Sequence, residues 1–301
     1  RTGLTSGYFP SKLKSYFIVL LFVLLITFII YYIGIAFDLG PFSIIIALIV
    51  SILTAWSSYY YSDKIILSLN KARPATKEEN LKLVNILDSL MLSSGLSHKP
   101  DLYIIDDPQP NAFATGRNPE HSIICVTSSL LEKLDYYELE GVIAHEMSHI
   151  KNYDILLSTI VSIMVGFVVM LSDLFTRVLF FRRSSDDDNR GNPIFLLIGL
   201  IFLILSPIFG TLMQLAISRK REFLADSTAI EFTRNPDGLI SALEKLEGDK
   251  HTLKTANKAT ANMFIINPFK KRSNNEHKKS SSLWSTHPST EERIEALKNL
   301  K

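Results

Sequence analysis

Four long blocks of apolar residues interrupt a chain that is otherwise of mixed polarity. Each block carries no charged residue and is long enough to cross a hydrocarbon core of ~30 Å as a helix. We therefore predict four membrane-spanning helices, at residues 16–37, 41–62, 155–172 and 193–218. The third can extend to Phe181, because Asp173 and Arg177 are spaced to pair across one helical turn. A buried core helix is the alternative for each block.

Shorter patterns between the second and third blocks predict a helix followed by two strands. Thr76 and Glu79 have the spacing of a capping box and begin the helix, and Gly95 is placed to end it. The β-rich runs at residues 102–106 and 122–127 are typical of short strands. This part of the chain therefore has the mixed composition of an α+β domain.

Two further helices are predicted after the fourth block. Asn235 and Pro236 have the residue types of an N-cap and a first helical turn, which begins a packing helix that includes residues 239–246. Ser289 and Glu292 form another capping box at the start of the last helix. The predicted fold is therefore α+β and predominantly helical.

The apolar blocks divide the chain into two membrane hairpins and two polar parts. Together the polar parts have the size of one ordinary domain, so we expect them to form a single unit that the second hairpin splits. The four parts are residues 1–62, a tail and hairpin; 63–154, the first domain part; 155–218, the second hairpin (spans 155–181 and 193–218); and 219–301, the second domain part.

Basic residues flank the predicted spans on one side of the membrane. They are Lys12 and Lys14 before the first span, Lys64, Lys71 and Arg73 after the second, and Arg219, Lys220 and Arg221 after the fourth. The positive-inside rule therefore places the two polar parts in the cytoplasm. Residues 182–192 carry both signs of charge and agree with this orientation only in part.

Composition narrows the possible partners. The formal net charge is +2 and no glycine-rich phosphate loop is present, so nothing favours a nucleic-acid partner. Cys125 is the single cysteine and cannot form an internal disulfide.

The stretch ELEGVIAHEMSHIKN, at residues 138–152, carries the candidate chemistry. His145 and His149 are four residues apart and share one face if this stretch is helical. Neutral imidazoles are good ligands of Zn²⁺, and Glu146 then lies beside the metal, where a general base acts. Gly141 leaves room for another backbone to come close to the helix.

A catalytic zinc needs a third protein ligand and an open position for water. The best candidate for this ligand is Glu222 in SRKREFLADSTAIEF, with Asp226 one turn later on the same helix face. Asp226 is placed to accept a hydrogen bond from a liganding histidine and fix its tautomer. The alternative for Glu222 is a charge on a solvated helix.

These stretches together resemble the M48 family of membrane metalloproteases, and within it the HtpX branch. The resemblance rests on HEMSH and SRKREFLAD and also covers RPATKEEN, NAFATG and HPSTEERI. It implies a gluzincin domain with one zinc per chain, held by His145, His149 and Glu222. It further implies an endopeptidase of the bacterial cytoplasmic (inner) membrane that acts on polypeptides, above all membrane proteins, in protein quality control.

The resemblance also implies roles outside the zinc ligands. The segment Asn111, Ala112, Phe113, Ala114, Thr115 and Gly116 is similar to the edge strand that holds an extended substrate. His287 and Arg293 match an element that lies over the zinc. Arg293 would stabilise the oxyanion, whereas His287 would either do the same or occupy the fourth zinc position in a resting state.

Two other functions stay open at this point. A membrane scaffold or chaperone with a purely structural zinc would normally have a fourth ligand, most often cysteine, and Cys125 is not at ligand spacing. An intramembrane protease is disfavoured by the polar residues that flank the motif. The pattern does not exclude Mn²⁺, Fe²⁺ or Co²⁺ and does not indicate an oligomeric state.

Overall fold

The computed structural model of the protein describes residues 8–36, 40, 42–182, 219–269 and 288–300. The helices are α1 (Tyr8–Ala36), α2 (Ser43–Tyr60), α3 (Ser62–Leu69), α4 (Lys77–Ser94), α5 (Ser128–Lys133), α6 (Tyr136–Lys151), α7 (Asp154–Arg182), α8 (Arg219–Thr233), α9 (Pro236–Gly248) and α10 (Thr290–Lys298). The strands are β1 (Arg73–Pro74), β2 (Asp101–Ile105), β3 (Ala112–Asn118) and β4 (His121–Thr127).

The strands form one sheet in the order β1-β2-β4-β3. Strands β2 and β4 are parallel, and the other two pairs are antiparallel. The strands predicted at residues 102–106 and 122–127 are confirmed as β2 and β4, and the segment expected to be an edge strand is confirmed as β3. A β-bulge after Gly116 ends the regular part of β3, and a Cβ there would collide with the carbonyl oxygen of His121.

The sheet packs against a helical layer built around α6. Leu83 and Leu87 of α4, Val142 and Ile143 of α6, and Leu243 of α9 are all fully buried in one core. Helix α9 comes especially close to α6, because a Cβ on Gly141 would lie 2.9 Å from the Cα of Leu239. The close backbone approach that the sequence predicts at Gly141 is therefore confirmed.

Capping boxes fix the starts of three helices. Those predicted at Thr76 for α4 and at Ser289 for α10 are confirmed, and Gly95 ends α4 with a φ of 69°. A third box, unpredicted, begins α6, where Asp135 caps the helix and Glu138 returns the hydrogen bond. The Glu138 carboxylate also lies 2.7 Å from Nζ of Lys245, which ties the start of α6 to α9.

Helices α1, α2 and α7 occupy the positions of the first three predicted spans, and the fourth lies outside the described residues. Among the described residues, α2 alone is long and apolar enough by itself to cross a membrane. Helix α6 and the first part of α7 pass the same test only if this pair, bent by 85°, counts as one span. The apolar part of α1, Leu13–Phe28, is shorter. Four spans therefore stay a prediction.

The bend between α6 and α7 positions the functional site. Tyr153 has a φ of 58°, a left-handed conformation that is unfavourable for a bulky residue. It lies at the bend of 85° that directly follows the HExxH helix. Asp154, the first residue of α7, is thereby brought back beside His149 on the last turn of α6.

Candidate metal centre

Three side chains from two helices converge at the centre of the domain. Nε2 of His145 and Nε2 of His149, both on α6, are 3.2 Å apart. Glu222, on the first turn of α8, directs Oε2 to within 3.7 Å of His145 Nε2 and Oε1 to within 3.6 Å of His149 Nε2. Helix α8 packs along α6, which brings together residues more than seventy positions apart in sequence.

This donor set fits a zinc ion. Ligand bonds of ~2.0–2.1 Å in a tetrahedral site put neighbouring donor atoms roughly 3.3 Å apart. The three observed separations, 3.2, 3.6 and 3.7 Å, are close to that value. Two imidazoles and one carboxylate are also a known catalytic zinc set, with a fourth position left for water. The three side chains that the sequence singles out therefore form one plausible metal site.

An ion pair lies behind His145. Nδ1 of His145 is 2.9 Å from Oδ1 of Asp226, which leaves Nε2 to face the candidate site. Asp226 also accepts two hydrogen bonds from Arg293, at 2.8 and 2.7 Å. Burial by itself would raise the pKa of the Asp226 carboxyl, but the charge and hydrogen bonds of Arg293, together with His145, lower it well below its usual range. Asp226 is therefore a carboxylate that orients His145.

A second carboxylate orients His149, and the sequence alone did not reveal it. Oδ2 of Asp154 is 3.2 Å from Nδ1 of His149, and Oδ1 is 3.6 Å from Nε of Arg221. Burial lowers the pKa of His149, but Asp154, Glu222 and Glu146 outweigh it and raise the pKa to about 9. This surplus of carboxylates stabilises positive charge, as a cation site requires.

Glu146 is almost fully buried beside the candidate ligands. Burial raises the pKa of its carboxyl, whereas positive charge on His145 and His149 opposes the rise. Glu146 lines a cleft that crosses α6, α7, α8 and β3. The other residues of the cleft are Ala114, His149, Asp154, Ile155, Ser158, Arg221, Glu222, Asn262 and Met263.

The edge strand β3 borders this cleft, but its beginning is already paired. The carbonyl of Ala112 accepts a hydrogen bond from the N–H of Ile265 at 2.9 Å, on the side away from β4. The side chain of Asn111 binds both backbone groups of Ile266, at 3.3 and 3.1 Å. Backbone groups alternate along a strand, so Ala114 is the next residue whose N–H and C=O point away from β4. Ala114 lines the cleft.

The remaining residues of the segment serve packing. The ring of Phe113 packs edge-on against Phe264 with centroids 4.9 Å apart, and the hydroxyl of Thr115 lies 3.0 Å from that of Thr159 on α7. Gly116 is at the bulge. The six residues expected to hold a substrate therefore differ in their surroundings, and Ala114 is the one among them that faces Glu146 across the cleft.

Arg293 lies next to the candidate ligands, and its guanidinium is held mainly by Asp226. Its guanidinium is fully buried, with two bonds to Asp226, a third to the carbonyl of Ile265 at 3.1 Å, and Nη1 3.9 Å from Glu222. These contacts suit the side chain to positioning Asp226, and the oxyanion role that the resemblance implies stays a prediction. His287, expected beside it, lies outside the described residues.

Comparisons with known proteins point to a peptidase family. The sequence model of peptidase family M48 matches residues 77–301. The "Protease HtpX homolog" of Dictyoglomus turgidum is 43% identical over 290 residues, which cover 96% of this chain and 92% of that protein. The protein of the same description from Caldanaerobacter subterraneus subsp. tengcongensis is 44% identical over 292 residues, 95% of this chain and 94% of its own length.

One solved structure is similar at lower identity. The "Crystal Structure of S. mikatae Ste24p" has 20% sequence identity and a TM-score of 0.49, and the match covers 89% of this chain and 62% of that one.

Proposed function

Because this chain belongs to peptidase family M48 and is a metallopeptidase, we propose that it is a zinc endopeptidase of the bacterial cytoplasmic membrane. Its substrates would be misfolded or damaged membrane proteins, degraded in protein quality control. One observation carries the proposal. A buried glutamate, two imidazoles and a second carboxylate converge at a cleft bordered by an edge strand.

We assign zinc binding to His145, His149 and Glu222, with one ion per chain. A bound zinc supplies positive charge that polarises a peptide carbonyl and lowers the pKa of water. Asp226 and Asp154 contact Nδ1 of His145 and of His149, on the side of each ring away from the metal site. By accepting a hydrogen bond at each Nδ1, they turn both Nε2 atoms toward the site and strengthen them as zinc ligands.

Glu146 is the proposed general base. Its carboxylate takes a proton from the water that attacks the peptide carbonyl and delivers that proton to the leaving amine. His287 keeps its two proposed roles, as an oxyanion donor or as a resting ligand. For Arg293 we favour positioning of Asp226 over the oxyanion role.

The substrate would bind in an extended conformation beside β3. Hydrogen bonds to the backbone of Ala114 would hold the chain without demanding a particular side chain, which suits a protease that degrades many proteins. The pairing of Ala112 with Ile265 limits the length of strand that a substrate can use. Recognition would therefore concentrate on the few residues next to the scissile bond.

The proposed membrane anchoring is supported by the surfaces of α1 and α2. Large apolar side chains stand exposed along both helices, among them Phe17, Leu20, Ile46, Leu53 and Trp56. Faces of this kind are stable in lipid and unfavourable in water. We propose four spans, with the catalytic parts at residues 63–154 and 219–301 in the cytoplasm. The support for this orientation is the basic residues that flank the spans, because the positive-inside rule places such residues in the cytoplasm.

The enzymatic proposal is tested on the full-length protein purified in detergent. Wild type and Glu146→Gln are incubated with an unfolded membrane protein and, in parallel, an unfolded soluble protein, with and without a chelator. We expect chelator-sensitive cleavage by wild type alone, faster on the membrane protein. Equal, chelator-insensitive results for both forms would favour the alternative, a scaffold or chaperone with structural zinc.

Orientation is tested separately by labelling cysteines in intact spheroplasts of a Cys125→Ser background. Ser97→Cys, at an exposed position after α4, should resist an impermeant reagent until the cells are lysed. Asp38→Cys, between the first two proposed spans, should react from outside. The opposite pattern would invert the proposed topology.

A further inference from the structure

Asn262 has a buried amide nitrogen that no other described residue accepts a hydrogen bond from. The residue lies in the 3-10 turn Ala261–Met263 and is 7% exposed. Its Oδ1 accepts a hydrogen bond from Oγ of Ser162 on α7 at 3.1 Å. Its Nδ2 is buried and has no hydrogen-bond partner among the described residues. Buried N–H donors are nearly always paired, so an exception needs a reason.

The location of Asn262 supplies that reason. The residue lines the same cleft as Glu146, His149, Glu222 and Ala114. Within the described part of the chain, the contact of Asn262 with α7 uses Oδ1 alone, so Nδ2 is left over. A ligand that brings an acceptor into the cleft would supply the missing partner of Nδ2.

The other buried and unpartnered side-chain atoms of the described chain do not share this location. They are hydroxyl oxygens of Ser43, Ser129 and Thr255. None of these residues lines the cleft. The coincidence of an unpaired buried donor with the candidate catalytic centre is therefore particular to Asn262.

The turn that carries Asn262 is held firmly against the sheet. Three residues further along, the N–H of Ile265 bonds to Ala112, and Ile266 is held on both sides by the Asn111 amide. The contact between Phe264 and Phe113 closes the same junction from the apolar side. A donor fixed in this way costs little reorganisation when charge develops on a ligand, which is the condition for strong electrostatic catalysis.

We propose that Asn262 is a catalytic residue whose Nδ2–H donates to the carbonyl oxygen of the peptide bond under attack. The inference rests on the proposed peptidase function. As the water oxygen bonds to the carbonyl carbon, the π electron pair moves to the carbonyl oxygen, and Glu146 takes the water proton. The N–H of Asn262 donates a hydrogen bond that stabilises the negative charge on that oxygen. When the carbonyl bond forms again, the C–N bond breaks, Glu146 gives its proton to the leaving amine, and the hydrogen bond weakens.

Asn262→Ala removes the donor and is expected to lower kcat about 10²–10³-fold, the usual effect of losing one oxyanion donor. KM should change little, because the hydrogen bond strengthens mainly in the transition state. Asn262→Asp keeps the size and the acceptor for Ser162 but has no N–H, so its kcat should fall by a similar factor. Zinc content should stay at one per chain in the Ala variant, because Asn262 is not among the candidate ligands.

A binding measurement that needs no turnover separates the donor role from packing. A phosphinic peptide carries a tetrahedral, anionic group where the scissile bond would be, and should therefore use the same donor. Asn262→Ala should weaken its binding by about the factor lost in kcat, while binding of the matching product peptide stays near the wild-type value. Equal weakening of both ligands would overturn the proposal in favour of a structural role.

Asn267→Ala serves as the control, since it removes an amide from the same segment at a residue that does not line the cleft. It should match wild type in kcat and in phosphinic-peptide binding. If wild type cleaves in a chelator-sensitive way and both Asn262 variants keep its kcat, this inference fails and the proposed function stands. If wild type does not cleave at all, both fail. Should Asn262→Ala not fold, the isosteric Asn262→Asp carries the same comparison.

Discussion

Arg293→Ala separates two roles of this residue: the positioning role that its contacts with Asp226 favour and the oxyanion role that the resemblance implies. In the structure the guanidinium forms two hydrogen bonds with Asp226, and both side chains are almost fully buried. Truncation leaves the Asp226 carboxylate in place, 2.9 Å from Nδ1 of His145, without its main counter-charge. The pair should therefore be needed for stability and for zinc binding, and not only for turnover.

The magnitude follows from burial. Removing one member of a buried ion pair typically costs about 3–5 kcal/mol, because the remaining charge is left uncompensated. For a domain of this size the loss corresponds to roughly 6–20 °C in Tm. Since Asp226 orients His145, loss of its partner should also weaken zinc binding ~10–100-fold, the usual effect of disturbing a residue behind a metal ligand.

Thermal unfolding with and without zinc, and zinc competition against a chromophoric chelator, measure the two effects. Arg219→Ala is the matched control, because Arg219 pairs at 2.6 Å with Glu292, the neighbour of Arg293, but both partners are about half exposed. That surface pair should contribute almost nothing. A reduced kcat for Arg293→Ala with wild-type Tm and zinc affinity would refute the positioning role and restore the oxyanion role.

Two further predictions concern helix α6: one tests the orientation of His149, and the other tests the packing of α6 against α9. Asp154→Ala should weaken zinc binding ~10–100-fold by releasing Nδ1 of His149, whereas Asp88→Ala, which breaks the exposed pair with Lys99, should not; equal zinc affinity in both would remove Asp154 from the site. Gly141→Val should cost at least ~1–3 kcal/mol by overpacking, since its Cβ would lie 2.9 Å from Leu239 Cα. Gly248→Val meets nothing within 4 Å and should unfold near the wild-type Tm; equal effects on Tm would contradict the close packing of α6 on α9.

The features that could be predicted from sequence are those fixed within a few residues. The capping boxes at Thr76 and Ser289, the left-handed stop at Gly95 and the shared helix face of His145 and His149 all depend on short spacings. The box at Asp135 has the same spacing and could have been found in the same way. These signals are local, so they can be read from the sequence without knowing how the rest of the chain folds.

The contacts that sequence reasoning missed join distant parts of the chain. The Asn111 amide bonds to Ile266, 155 residues away, and no local pattern marks that pairing. Asp154 lies beside His149 because Tyr153 adopts a left-handed conformation, and a tyrosine in the sequence does not predict that conformation. The spacing of Arg293 matches a family element that lies over the metal, but spacing does not reveal the two hydrogen bonds of its guanidinium with Asp226.

The ligand set is the central claim, and zinc-edge X-ray absorption of the purified protein, with metal content measured on the same sample, tests it most directly. We predict one zinc per chain surrounded by nitrogen and oxygen at ~2.0–2.2 Å, with scattering from two imidazoles and none from sulfur. Glu146→Gln should give the same ligand distances and the same stoichiometry, whereas Glu222→Ala should lose most of its zinc. Sulfur in the coordination shell, or full zinc occupancy in Glu222→Ala, would contradict the site formed by His145, His149 and Glu222.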